Sequence, residues 1–273
     1  MKLSQLGELG LLAELERRSL ARGIENDAAQ LEGGLVVTQD ALVEGVHFDF
    51  GRLSWQELGY RAAAVNLSDL AASGAEPEGL VVTLALPGAV ALDDVLALYE
   101  GLNGPGVPVI GGDTTQADSV LLSVTALGRS ERVPGRAGAR PGDALVVTGP
   151  LGAAGAAFRD GRLSRPPLRL DEGRELAAHA HAMLDISDGL AVDAGRLAIR
   201  SGVRCVLHLE SVPLAEGAKV EDVGFGEDYE LLAAVEDPGR YARIGRCEEG
   251  EGVVLLHEGR PVELTGWEHF RSA

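Results

Sequence analysis

Aspartates recur at the ends of apolar runs in this sequence. Asp40 closes the run Leu35-Val36-Val37-Thr38 after Gln39, Asp113 follows Val107 to Ile110 across Gly111-Gly112, and Asp185 closes Ala182 to Leu184 with Asp188 just beyond it. Asp69 ends Asn66-Leu67-Ser68-Asp69 on a helical stretch, and Asp27 sits in a loop beside Ala28-Ala29. Strand ends in α/β folds are where ligands collect. Hard oxygen ligands with small neighbours suit Mg²⁺ rather than zinc, and no His or Cys cluster competes for a softer metal. Glycines at 111 and 112 let a phosphate come close to the backbone. Each aspartate taken singly also fits a turn or a helix cap, and Asp188 fits an N-cap. The recurrence favours a metal site for the set without deciding every member. These residues alone describe a soluble two-part α/β protein with Mg²⁺ binding as one reading.

The elements that must position these groups follow from periodicity. Residues 3 to 21 space their leucines as an amphipathic helix does. Gly33-Gly34 lead into a strand over Leu35 to Thr38 that stops at Gln39-Asp40. Ser54-Trp55-Gln56-Glu57 is a capping box that opens a helix running towards Gly74. Gly79 to Leu86 reads as a strand, Leu92 to Gly101 as a helix, and Val107 to Ile110 and Val120 to Leu127 as strands. Arg132 to Asp143 is rich in Arg, Gly and Pro and reads as a linker. Behind it the pattern restarts: strands at Ala144 to Thr148, Ala182 to Ile186, Val203 to Leu209, Tyr229 to Val235 and Val253 to Leu256, and a helix capped by Ser187-Asp188 and running to Arg200. Two α/β halves are expected, 1–136 and 137–273.

Composition narrows the chemistry. The 273 residues are 45% hydrophobic but only 4% aromatic, so the core must be Val, Leu, Ile and Ala. The formal charge of -18 disfavours binding to bare nucleic acid. The only lysines are Lys2 and Lys219, so there is no GxxxxGK[ST] phosphate loop, and any nucleotide is held by other means. Cys205 and Cys247 form no CxxC pair, which argues against a disulfide framework or zinc ribbon, and Cys205 reads as core. No apolar run is long enough to cross a membrane, and the N-terminus lacks a signal-peptide core. A cytoplasmic protein is expected.

Ordered segments along nearly the whole chain carry a family resemblance. Val37-Thr38-Gln39-Asp40 through His47-Phe48, Ala64-Val65-Asn66-Leu67-Ser68-Asp69-Leu70, Ile110-Gly111-Gly112-Asp113-Thr114-Thr115 and Arg136 to Asp143 with Val147-Thr148-Gly149 come first. Leu184-Asp185-Ile186-Ser187-Asp188-Gly189-Leu190, Gly226-Glu227-Asp228-Tyr229-Glu230-Leu231 and Gly266-Trp267-Glu268-His269-Phe270 follow in the same order. Together they resemble the thiamine-monophosphate kinase family, of the superfamily that includes aminoimidazole ribonucleotide synthetase, selenophosphate synthetase and a hydrogenase-maturation protein.

The resemblance implies two α/β domains, with N-terminal sheets that pair in a barrel-like homodimer and a layered C-terminal α/β domain. It implies Mg²⁺-dependent transfer of a phosphoryl group from ATP to thiamine monophosphate. Metal roles fall to Asp27, Thr38, Asp40, Asp69, Asp113, Asp185 and Asp188, and nucleotide contacts to Tyr99, Gly112, Asp113, Arg136 and Ser187. Substrate contacts fall to His47, Glu227 and Trp267, and Asp40, Asp113 and Arg136 would carry the chemistry. Read as residues, Tyr99 and Trp267 also fit ordinary packing, Arg136 a solvated linker, His47 a hydrogen-bonded core histidine and Glu227 a solvated turn. Departures from the family pattern are Asn26 where a second aspartate is usual, Gln39 for a threonine, Phe225 for a glycine and a short connection from Leu214 to Gly224. The alternative readings are a differently specific enzyme of the superfamily and a non-catalytic ATP-binding relative.

Overall fold

The computed structural model describes residues 2–24 and 26–267, so Glu268-His269-Phe270 of the last motif lie outside the described residues. The N-terminal half runs α1 (Leu3–Arg17), β1 (Ala29–Gln30), β2 (Leu35–Val43), α2 (Trp55–Ala72), β3 (Glu76–Leu86), α3 (Leu92–Asn103), β4 (Val109–Gln116) and β5 (Leu121–Arg129). Its sheet has the order β1-β2-β5-β3-β4, antiparallel except for the β3–β4 pair. No helix or strand spans residues 130–143. The C-terminal half then runs β6 (Ala144–Val147), α4 (Ala153–Arg159), α5 (Leu170–Ala177), β7 (Ala182–Asp185), α6 (Leu190–Ser201) and β8 (Arg204–His208). It ends with β9 (Leu231–Val235), β10 (Ala242–Glu248), β11 (Gly252–His257) and β12 (Arg260–Val262). Its sheet has the order β12-β11-β8-β10-β6-β9-β7, with β8 and β11 parallel. The two α/β domains read from the sequence are both present.

Helix α2 belongs to both halves. It opens as expected on Ser54, whose hydroxyl accepts the Glu57 amide while the Glu57 carboxylate accepts the Ser54 amide. Leu58, Leu67 and Leu70 are fully buried against the N-terminal sheet through Leu80, Val82, Leu122 and Val124. On its other side Ala71 and Ala72 pack into Val146, Met183, Leu231 and Ala233 of the C-terminal sheet. Alanines make this sandwich thin, and glycines make it thinner. A Cβ on Gly59 would lie 1.9 Å from the Leu98 carbonyl oxygen of α3, and one on Gly173 2.2 Å from that of Ala71. The opposite face of the C-terminal sheet is covered by α6 through Leu190, Ala194 and Leu197. Truncating one of the buried leucines to alanine would cost about 2–5 kcal/mol.

Some sequence expectations shift. The strand at Leu35 does not stop at Asp40 but continues to Val43, so Asp40 is mid-strand. The strand before Asp113 begins at Val109 and runs through it to Gln116. Glycine and aspartate disfavour strands by propensity, yet ladder pairing to β3 overrides this. Ser187-Asp188 does not cap α6. The N-cap is Gly189 at φ 111°, and the Asp193 carboxylate reaches back to the amides of Asp188 and Gly189 at 3.0 and 3.1 Å. The first helix ends at Arg17 and is broken at Gly7, φ 72°. The cysteines distant in sequence face each other as Cα partners on β8 and β10, buried and unlinked.

Candidate functional site

Carboxylates from three elements meet where the two domains touch. Oxygens of Asp27, Asp69 and Asp185 lie within 4.8 Å of one another. Asp69 comes from the last turn of α2, Asp185 from the end of β7 and Asp27 from the loop before β1. Short side chains hold them there. The Thr38 hydroxyl on β2 lies 2.5 Å from Asp69 Oδ2 and 3.1 Å from the Asp27 carbonyl oxygen. Ser68 donates to Asp185 Oδ2 at 2.6 Å across the domain boundary. Asn66 accepts the Asp40 amide at 2.9 Å and fixes β2 against α2.

The electrostatics are unfavourable for bare carboxylates. Burial, then the charges of Asp40, Asp185 and Asp27, push the Asp69 carboxyl well above its ordinary range against the pull of Thr38. Burial, then Asp27, does the same to Asp185. Like charges converging out of water favour protonation or a bound cation. An all-oxygen carboxylate and hydroxyl set fits Mg²⁺ and offers no soft ligand.

Arginines flank the cluster. Arg136 is partly buried and pairs with Asp27, its Nε at 3.0 Å from Oδ1. It is therefore fixed and not a solvated linker residue. Arg196 of α6 pairs with Asp188 and with Asp193 at 2.7 Å. The backbone of Ser187-Asp188 is a hub: Ser187 O accepts the Glu227 amide at 2.7 Å, and Asp188 O accepts the Trp267 amide at 3.0 Å. Glu227 and Tyr229 are non-glycine residues at φ 59° and 53°. Such positions cost about 1–3 kcal/mol each and persist only where the surroundings dictate them. Here Asp228 between them accepts the Gly152 and Ala154 amides at 2.7 and 3.3 Å. The Glu227 carboxylate meets Arg61 of α2 at 2.5 Å. Trp267 is 48% exposed beside this loop.

The remaining site residues lie elsewhere in the chain. His47 sits in the turn after β2, where its Nδ1 accepts the Val43 amide at 3.1 Å. Tyr99 on α3 packs against the N-terminal core. Gly112 and Asp113 lie on β4, which is exposed over nearly its whole length. Cα register aligns Asp40 with Val124, Val82 and Gly112 across the sheet. Three strand spacings separate that row's ends by roughly 14 Å. Asp113 pairs in register with Thr83, one residue further along.

The departures from the family pattern find local roles. Asn26 accepts the Arg136 amide at 2.9 Å, a bond a carboxylate oxygen makes equally well. Gln39 turns to the outer face of the sheet and donates to Ser123 at 2.7 Å. Phe225 stacks on Phe158 with centroids 5.0 Å apart. Gly226 is the position that needs a glycine: its φ is 88°, and a Cβ would sit 2.5 Å from Ser187 O. Sequence reasoning passed over Asn66 and Ser68, which stand inside a quoted motif, and Arg61, Asp193 and Arg196, which carry no local signal.

Comparison with known proteins places this geometry. Residues 25–130 match the N-terminal domain of AIR synthase related proteins, and residues 140–258 match the C-terminal domain. A thiamine-monophosphate kinase of Aquifex aeolicus is 34% identical, with 99% of this chain and 100% of that protein aligned. One from Escherichia coli K12 is 32% identical over 97% and 99% of the two chains. A solved structure of AaThiL complexed with AMPPCP and TMP superposes with a TM-score of 0.90 at 33% identity, covering 98% of this chain and 99% of that one. Hydrogenase maturation protein HypE in complex with ATP, at 21% identity and a TM-score of 0.71, shares the fold.

Proposed function

The chain belongs to the thiamine-monophosphate kinase family of AIR synthase related proteins, and on that premise we propose that it transfers the γ-phosphoryl group of ATP to thiamine monophosphate, giving ADP and thiamine diphosphate. The observation that carries the reading is the convergence of Asp27, Asp69 and Asp185 near the Ser187-Asp188 backbone, whose carbonyls accept the amides of Glu227 and Trp267. One site thus joins a cation-binding carboxylate set to a turn suited to a cationic acceptor.

Each group has a task in this reading. Asp27, Thr38, Asp40, Asp69, Asp185 and Asp188 hold Mg²⁺. Bound Mg²⁺ supplies charge neutralisation between the two phosphates, which at ~4 Å would repel by roughly 4 kcal/mol per charge pair at an effective dielectric of 20. Arg136 holds nucleotide phosphate with its planar guanidinium, released from Asp27 for that purpose. Ser187 contacts the nucleotide. Glu227 and His47 orient the acceptor, and Trp267 stacks on a ring of thiamine, whose thiazolium is cationic. An oxygen of the acceptor phosphate attacks the γ-phosphorus, and the bond to the ADP oxygen breaks in line. That oxygen is already anionic near neutral pH, so no strong base is required.

Tyr99, Gly112 and Asp113 enter the site from a second copy of the chain. Two features support this. β1 pairs only with Val36 and Val37, so the flank of β2 beyond them is uncovered, and β4 is an exposed edge. Long open edges are seldom left unpaired. Laying β4 of one copy against β2 of another closes both edges and carries Gly112 and Asp113 towards Asp40. The homodimer is then part of the site. The division near residue 136 separates this metal-binding, dimer-forming half from the C-terminal half. A cytoplasmic enzyme that does not bind nucleic acid accords with the acidic charge; among the described residues no helix is long and apolar enough to cross a membrane.

The test is ATP turnover in Mg²⁺ with and without thiamine monophosphate. Turnover that requires the acceptor is expected. ATP binding with no turnover on thiamine monophosphate would reject the reading.

A further inference from the structure

Arg61 is a buried cation with an unusual set of neighbours. It sits on α2 with its side chain 3% exposed, followed directly by the buried run Ala62-Ala63-Ala64-Val65. Its Nη2 meets Glu227 Oε1 at 2.5 Å, and its Nη1 donates to the Ser164 carbonyl oxygen at 3.0 Å. Both partners come from the other domain. Among the described residues neither its Nε nor its Nη2 has a hydrogen-bond acceptor, so the Glu227 contact is an ion pair. Beside it is a cavity of about 240 Å³ lined by Arg52, Tyr60, Ser164 and Arg165 among others. Next door the Tyr60 hydroxyl donates to the Pro166 carbonyl oxygen at 3.1 Å, and Arg165 lies over the Tyr60 ring at 3.6 Å.

A position on α2 that needed only packing would take another apolar side chain, because an arginine loses its water when buried. What the arginine supplies is direction. Glu227 is 26% exposed on its side chain and stands on a turn with two non-glycine residues in the left-handed region. That turn is pinned below by Asp228 and at its amide by Ser187. Among the described residues, Arg61 is the ion-pair partner that reaches the carboxylate from the other domain.

We infer that Arg61 is a positioning residue for the acceptor: it sets the Glu227 carboxylate and locks the residue 226–229 turn to α2, so that acceptor selection depends on a side chain from the opposite domain. The inference rests on the acceptor role proposed for Glu227 and adds a residue that touches neither substrate.

The experiment compares wild type, Arg61→Met, Arg61→Lys and Glu227→Gln. Measured are the KM for thiamine monophosphate, the KM for ATP, kcat and the hydrogen exchange of amides 226–229. Arg61→Met should raise the acceptor KM by about tenfold or more, the scale of breaking a desolvated ion pair, with the ATP KM within about twofold. Arg61→Lys should recover part of the loss, and combining Arg61→Met with Glu227→Gln should add little to either alone. An unchanged acceptor KM in folded Arg61→Met, or equal rises in both KM values, overturns the inference. Should Arg61→Met not fold, Arg61→Lys carries the same comparison at smaller amplitude. Should wild type fail to use thiamine monophosphate, the proposed function falls. Amide exchange then decides the positioning alone: faster exchange in the variant supports it, and unchanged exchange overturns it.

Discussion

The domain boundary and the far edge of the N-terminal sheet carry matching chemistry in opposite settings. At the boundary Asp69 and Asp185 are enclosed, crowded and lifted far from their ordinary acidity. At the edge Asp113 sits on an exposed strand beside a glycine with φ 153°. The first group already faces its neighbours within one chain. The second faces outward, and the sheet register holds it away from Asp40. Enclosed carboxylates trade stability for a binding site, whereas exposed ones wait at no cost for a surface to cover them.

Substitution tests the comparison most sharply. Asp185→Ala should lower kcat by on the order of 10²–10³, the scale of a lost transition-state stabiliser. Asp113→Ala or Asp40→Ala should each lower kcat by on the order of 10² or more. Turnover within threefold of wild type in any of these folded variants would remove that residue from the site. Next in size is complementation. If Asp40 and Asp113 act across a two-fold dimer, mixing the two inactive variants should restore about a quarter of wild-type activity, because half the dimers carry one intact site of two. No recovery after subunit exchange, verified by mass, would place both residues in one chain's site.

Stability separates the regions by a smaller margin. Saturating Mg²⁺ should stabilise wild type by about 2.7 kcal/mol at a hundredfold excess over its dissociation constant. Asp69→Asn should melt higher than wild type without Mg²⁺, since it removes a repelling charge, and should lose the Mg²⁺ response. Asp113→Ala should leave metal-free melting unchanged. Calorimetry with and without the ion decides, and a metal-free drop in Asp69→Asn would contradict the repulsion argument. The smallest effect lies in the acceptor turn. Burial raises the Asp228 carboxyl from 3.8 to about 6. The folded chain therefore binds this proton more tightly than the unfolded one, and the stabilisation is full at low pH and lost as pH rises through 6. Relative to Asp228→Asn, wild type should gain about 1 kcal/mol between pH 7 and 5 by denaturant titration. A flat difference would show that Asp228 is not held as described.

Much of this layout was legible in the sequence. The two α/β halves, the Ser54 capping box and the carboxylates of the boundary cluster follow from apolar runs and their punctuation. Gly111-Gly112-Asp113 reads locally as a turn, and pairing with β3 makes it a strand. β10 carries no strand pattern because Arg243, Gly245 and Arg246 interrupt its apolar character, and it pairs through a bulge. The meeting of Cys205 with Cys247 and of Arg61 with Glu227 depends on tertiary register, which no local pattern encodes.

Helix α2 also works as a gauge. Arg61 and Asp69 are eight positions apart on one rigid rod, which fixes their separation along its axis at about 12 Å. The contacts at Gly59 and Gly173 leave no slack for the rod to slide. On the roles proposed for Glu227 and Asp69, the span between the turn that Arg61 sets and the metal-binding carboxylate is therefore written into helical pitch. Inserting one residue between Arg61 and Asp69 would swing Asp69 by about 100° away from its companions.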